Sequence, residues 1–540
     1  MIRSSWKKGF GWGLLLLVLG GIGGKAAERA FPPDRPINQQ QQYKRIHRQV
    51  AQWLFHGQPQ KAVQWCEVFT KTNPKDAEGW YFYAGALAAV GRIPEAMEAV
   101  RRAEALGLPL ERFLAGPREA FRPLVTSEAF QKYAQGKVSP LIHGPMVGAV
   151  TATGAKIWVR TAQPTKVVVE AYELSGNRTI RGEGKTSPQT DYTCVISLHG
   201  LRPNTKYAYT VKIGDRVVGS GQFRTRVLQG YPVKLRVAFG GGAGYTPWKE
   251  YIWKTILQRH PDAFLFLGDN VYIDAPEDRP YQRYKYYRRQ SQPWFRQLVA
   301  NTPIYAIYDD HDFGVNDCWG GPEVDRPAWK RQAWEVFCQN WVNPYYGGGQ
   351  EHPGCWFHFS IGDVDFFLID GRYYRTNPRT TPPAKRSMLG SYQKAWLLRH
   401  LQDSRATFKF LISDVPWASG TKPGSPDTWD GFDRERSEIF QFLAQHHITG
   451  VILLSADRHR HDIWQVRWPG KYPLYEFESS RLTNVHQHRC IPKALFCWNG
   501  NGFGELDIDT TQPDPVVCYR IMSIDGQCIH TFCLRLSQLQ

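Results

Sequence analysis

At 540 residues the chain is too long for one compact core, and domains of ~100–200 residues imply three or more. A hydrophobic content of 42% with 21% charged residues excludes a disordered chain. The formal net charge of +18 favours anionic partners, but the basic residues are scattered in pairs such as Lys7-Lys8, Arg101-Arg102 and Arg288-Arg289, so no specific nucleic-acid binding is expected.

The chain begins with Arg3, Lys7 and Lys8 ahead of an apolar stretch from Phe10 to Ile22, followed by Gly-Gly-Lys-Ala-Ala. That is the layout of an export signal. The run is shorter than the ~20 apolar residues of a full membrane span. Residues 1–30 therefore read as a signal peptide, or as an anchor through residues 10–24 if uncleaved, and the protein as periplasmic or extracellular. Ten cysteines fit an oxidising compartment. Five of them (Cys490, Cys497, Cys518, Cys528, Cys533) crowd the C-terminal end, where local disulfides are expected with the pairing open. No CxxC pair with zinc-ribbon spacing is present.

Residues 31–43 read as a polar, proline-bearing linker. From 44 to 135 the pattern is helical: Trp53, Leu54, Ala62, Val63 and Cys66 recur at helical spacing, as do Trp80, Tyr83, Ala84, Leu87, Ala96, Ala99 and Ala103. Turns at Gly57-Gln58-Pro59, Asn73-Pro74 and Gly91–Pro94 divide it into units 44–77 and 78–111. The ~34-residue period, Gly79-Trp80 and Pro94-Glu95-Ala96 resemble tetratricopeptide repeats. This small all-α region would serve as a helical spacer or as a docking groove for a protein partner, the spacer being favoured. Residues 139–228 change to alternating strands, such as Ala155–Arg160, Lys166–Tyr172 and Tyr207–Val211, and predict an all-β sandwich. Leu198–Tyr207 resembles the corner of a fibronectin type III-like domain.

Residues 234–535 alternate apolar strands with helical segments. Leu235–Phe239, Ala263–Leu267, Ile304–Tyr308, Val364–Ile369, Phe408–Ile412 and Gly450–Leu454 are near-continuous apolar runs, the mark of strands buried on both faces in an α/β core. Several open onto polar clusters: Gly268–Asp274, Asp309–Asp317, Asp370–Arg375 and Ser455–Asp462. Ligands bind at the ends of such strands. Carboxylates, imidazoles and an amide together suit hard or borderline cations, and this many acids would repel one another without them. Two cations ~3.5–4 Å apart would activate a water and hold a phosphoryl group for in-line attack. Arg372, Arg375, Arg458 or Arg460 would then offset the phosphate charge. Taken singly, each cluster reads more readily as a turn or a helix cap than as a site; their conjunction carries the argument.

The order Gly-Asp, Asp-His and Asp-x-His resembles the calcineurin-like metallophosphoesterases, and more narrowly the alkaline phosphatase D family. The resemblance rests on Leu267–Tyr272, Asp309–Asp312 with Asn316, Asp370–Arg375, Met388–Gly390 with Gln393 and Trp396-Leu397, and Asp457-Arg458-His459. It implies a four-layer α/β/β/α sandwich hydrolysing phosphomonoesters or phosphodiesters with iron and calcium, manganese or zinc being alternatives. It also implies Asp269, Tyr272, Asp310, Asn316, Asp457 and His459 as metal ligands, with Asp309 competing with Asp310 for one position. His311 would lie beside the phosphate as donor or acid, with Arg372 and Arg458 as catalytic cations. One departure stands out: where the family carries a cysteine ligand, the chain reads Phe239-Gly240-Gly241-Gly242-Ala243-Gly244-Tyr245. That run either aims amide N–H groups at a phosphate oxyanion or is a plain tight turn. The alternative to an enzyme is a non-catalytic surface scaffold. A serine hydrolase is disfavoured, because G-x-S-x-G is absent.

Overall fold

A computed structural model describes residues 30–540, so the leader reading lies almost wholly outside the described residues. No described helix is long and apolar enough to cross a membrane.

Residues 43–134 are helical. Local chemistry sets the helix starts: Asp76 caps Ala77–Ala89 by accepting from the Gly79 amide at 2.7 Å, Ser127 caps Glu128–Ala134, and Pro59 opens Pro59–Thr72. The region is not a free spacer. Its apolar side chains, among them Leu54, Phe82, Phe113 and Phe121, share one continuous core with the C-terminal half. Buried Glu78 joins the two parts, accepting from Arg112 on both oxygens at 3.0 and 3.1 Å and from the Tyr284 hydroxyl at 2.8 Å. The 31–43 segment is tied down as well: Asn73 bonds Ile37 and Arg35, and the Trp65 indole donates to the Phe31 carbonyl.

Residues 141–224 form seven strands around a core of their own, including Val159, Val169, Tyr209 and Phe223. Four strands (Lys166–Glu173, Thr179–Lys185, Lys206–Ile213, Arg216–Arg224) make a separate sheet. The other three (Leu141–Gly148, Gly154–Thr161, Thr193–His199) continue into the C-terminal half through a parallel pairing of Gly148 with Ile304. The resulting nine-stranded sheet spans both regions. Buried Arg160 fixes the joint, donating to Asp191, Asn340 and Gln290.

The apolar runs read from the sequence are all strands. Lys234–Gly240, Ala263–Leu267 and Ile304–Ile307 lie side by side and parallel in the nine-stranded sheet. Val364–Leu368, Phe408–Ile412 and Val451–Ser455 lie parallel in a seven-stranded sheet. The two sheets meet through aromatic stacks, Tyr305 on Phe359 at 3.8 Å and Phe477 on Tyr519 at 4.5 Å. Antiparallel strands that periodicity did not reveal complete both: His461–Val466 and Leu474–Ser479 in one, Gly502–Asp509, Val516–Ser523 and Cys528–Arg535 in the other. Two disulfides form at the C-terminal end, Cys490–Cys497 and Cys518–Cys533, leaving Cys528 free and exposed.

Candidate metal centre

Three strand ends supply the acidic cluster. Ala263–Leu267 delivers Asp269, Ile304–Ile307 delivers Asp309 and Asp310, and Val451–Ser455 delivers Asp457 and His459. Asp269, Tyr272, Asp274, Asp457 and His459 all hold φ between +50° and +68°, left-handed backbone that costs a non-glycine residue of order 1–3 kcal/mol. Asp312 braces the first of these turns, accepting from the Asn270 and Val271 amides at 2.9 and 2.8 Å.

Asp269, Asp310 and His311 bring one ligand atom each within 4.8 Å of the others, and all three are buried. Neither Asp269 oxygen has a hydrogen-bond partner. His459 Nε2 stands 3.6 Å from Asp269 Oδ2 and 3.0 Å from the Tyr272 hydroxyl. The Asn484 amide closes this side, donating to the Tyr272 hydroxyl at 2.7 Å. Burial pushes the Asp269 carboxyl up to about 8, with Asp310 and Asp312 adding to the rise and His311 opposing it. A buried carboxylate without a hydrogen-bond donor is costly alone and suits a cation, and this oxygen- and imidazole-rich donor set fits one.

His311 lies against the same cluster, its ring stacked on Tyr272 at 4.6 Å between centres. Its Nδ1 is bonded to Asp274. Burial works against its charge, but Asp274, Asp310 and Asp269 win and push it up to about 10. His459 behaves oppositely: burial and then Lys44, His486 and His488 hold its imidazole well below the ordinary range. The neutral ring is the ligating form.

The arginines divide. Arg458 pairs with Asp457 at 3.2 Å. Arg372 is fully buried and spends Nε and Nη1 on protein carboxylates, with Asp309 at 2.6 Å, Asp414 at 3.2 Å and Asp427 at 2.9 Å. It neutralises these acids and keeps Nη2 without a hydrogen-bond partner. Those bonds also separate the two neighbouring aspartates: Asp309 is held by Arg372, while Asp310 faces Asp269 and His311. Asn316 is exposed, whereas the carboxylate of its neighbour Asp317 is half-buried and turned toward the cluster. Asp317 forms a second acidic group with Asp310 and Asp427 whose charge Lys422 offsets at 2.9 and 2.8 Å.

The glycine run is a packed turn. The Gly241, Gly242 and Ala243 amides donate to the carbonyls of Ser479, Gly268 and Asp269, so none of the three is left for an oxyanion. A Cβ on Gly241 would fall 2.7 Å from the Ala456 methyl, which accounts for glycine there. Asn484, Asp427 and Lys44 were missed from the sequence because each comes from a segment far along the chain with no motif around it. Asp414 had a signal, its position at the end of the Phe408–Ile412 strand.

Residues 237–487, which contain this cluster, match the PhoD-like phosphatase family. Residues 138–224 match a domain of unknown function. Alkaline phosphatase D of Bacillus subtilis (strain 168) is 23% identical over 383 residues, 59% of this chain and 64% of the relative, so the match spans less than two thirds of that protein. Among solved structures, PhoD superposes with a TM-score of 0.59 at 19% identity, covering 73% of this chain and 90% of that one. A purple acid phosphatase from yellow lupin (Lupinus luteus) seeds gives 0.54 at 13% identity, covering 73% and 75%. Over 73% of its length the chain thus shares its fold with two phosphatases, and the donor cluster lies within the matched residues 237–487.

Proposed function

We propose that the chain is an exported, metal-dependent phosphoesterase acting on phosphomonoesters, phosphodiesters or both. The observation that carries this reading is the buried Asp269 carboxylate, unpartnered on both oxygens beside Asp310, His311 and His459 within the PhoD-like domain. The cations would be held by Asp269, Tyr272, Asp310, Asp457 and His459, with Asp317 a better candidate than the exposed Asn316. Calcium and iron suit the carboxylate, phenol and imidazole donors, and manganese or zinc would also fit. When bound, such metals polarise a phosphoryl oxygen and make water nucleophilic at neutral pH.

The chain's own groups would do the rest. His311, oriented through Nδ1 by Asp274, donates a hydrogen bond or proton at the phosphoryl group. Arg458, beside Asp457, offsets anionic charge, and Arg372 holds Asp309 and Asp427 in place. The two disulfides are compatible with export. We read helices outside the two facing sheets as the four-layer arrangement. The helical and seven-stranded regions we read as tetratricopeptide-like and fibronectin type III-like, the latter supported by the Tyr207 hydroxyl accepting from the Arg202 amide.

Metal-stripped protein, with Ca²⁺, Fe³⁺, Mn²⁺ or Zn²⁺ added back, tests the reading on p-nitrophenyl phosphate and bis-p-nitrophenyl phosphate. Turnover restored by metal and lost in an Asp457→Ala, His459→Ala double mutant is expected. No turnover with any metal bound to folded protein favours the scaffold alternative.

A further inference from the structure

We propose that Lys44, carried by the N-terminal helical region, is a positioning residue of the metal centre, so that this region completes the site. The inference rests on the phosphoesterase reading above. The Lys44 ammonium lies 3.1 Å from the centre of the Tyr272 ring, and the side chain is only 4% exposed. The His311 ring stacks on Tyr272 at 4.6 Å. The cation and the imidazole together grip the phenol ring. That grip aims the Tyr272 hydroxyl at His459 Nε2, 3.0 Å away, next to the unpartnered Asp269.

The same short stretch braces the next residues of the turn. Arg48 donates to the Asp274 carbonyl at 2.7 Å, and the Arg45 guanidinium lies 3.8 Å from the Asp274 carboxylate that holds His311. Lys285 of the PhoD-like domain pins the backbone in return, donating to the Lys44 carbonyl. Residues 269–274 include three left-handed non-glycine positions, and such backbone persists only where its surroundings over-determine it. Asp312 supports the start of the turn and the helical segment supports its end. Gly244 leaves the passage open, since a Cβ there would fall 2.9 Å from Lys44 Cδ.

The test uses the full chain with Lys44→Met, Lys44→Arg and Gly244→Ala, and Lys61→Met on an exposed helix face as control. kcat and KM for p-nitrophenyl phosphate are measured alongside metal content after dialysis against fixed Mn²⁺. Lys44→Met is expected to lose roughly tenfold or more in kcat or Mn²⁺ affinity, the usual effect of losing a group that orients metal ligands, with KM less affected. Lys44→Arg, which keeps a cation over the ring, should recover most of the loss. Gly244→Ala, which crowds the lysine without removing its charge, should move in the same direction as Lys44→Met. Wild-type kcat and Mn²⁺ content in Lys44→Met overturn the inference, as does an arginine variant no better than the methionine one. Should Lys44→Met fail to melt cooperatively, the arginine and Gly244→Ala variants decide the matter. An inert wild type would instead sink the phosphoesterase reading, and Mn²⁺ content would still judge Lys44.

Discussion

The side chains around the metal centre fall into those with an unmet charge and those whose charge is already spent. Asp269 belongs to the first group and Arg372 to the second. Replacing Arg372 by methionine would leave Asp309, Asp414 and Asp427 short of a buried counter-charge, a loss of about 3–5 kcal/mol. Urea unfolding should show it as a lowered midpoint, and a midpoint within experimental error of wild type would mean the arginine is free for substrate after all. Asp269, Asp310 and His311 could be picked out in the sequence because a buried apolar run ends immediately before a cluster of acids, a local signal. Lys44, Asn484 and Asp427 are distant in the chain from the residues they meet, and nothing in their own neighbourhoods distinguishes them from ordinary surface or loop residues. Asn316 shows the converse limit: motif spacing pointed to it, whereas the turn after Asp310–Phe313 exposes it and puts the Asp317 amide on the Asp310 carboxylate at 2.5 Å.

Among the elements, the Ala77–Ala89 helix ties the helical region together at its N-terminus. Burial works against the charge of its cap, but His47, the Tyr43 hydroxyl and the Gly79 amide hold the Asp76 carboxyl below its usual range. A depressed carboxyl adds stability only above the ordinary carboxylate range, and that stability disappears as pH falls through the folded-state value. Asp76→Asn keeps an oxygen for the Gly79 amide but breaks the buried pair with His47, and should therefore cost about 3–5 kcal/mol near neutral pH. The gap in Tm to wild type should narrow as pH falls below the ordinary carboxylate range, and a gap that stays constant with pH would contradict this account. The elements visible in the sequence were those with a strong period, the helices of 44–135 and the apolar parallel strands. Gly502–Asp509 escaped because its alternating stretch is short, with only Leu506 and Ile508 between the acids Glu505, Asp507 and Asp509. The structure uses both acids, to bind Arg236, Arg259 and Arg520 on neighbouring elements.

The whole molecule is more unified than its sequence modules suggest. The seven-stranded region lends three strands to the nine-stranded sheet, and the helical region shares the main core and reaches the metal centre. Sequence periodicity marks where one kind of element gives way to another, but not which surfaces then pack together. Burial across these joints, through Arg160, Glu78 and Tyr284, argues that the regions unfold together. A single calorimetric transition is expected, and separate transitions for the helical region and the remainder would contradict it. The central claim is that the buried acids at the strand ends hold metal. Anomalous diffraction at the metal edge from crystals grown with Mn²⁺ tests it most directly. The account predicts density within coordination distance of Asp269, Asp310 and His459. A folded protein with no anomalous peak there, or with its metal bound elsewhere, would contradict it.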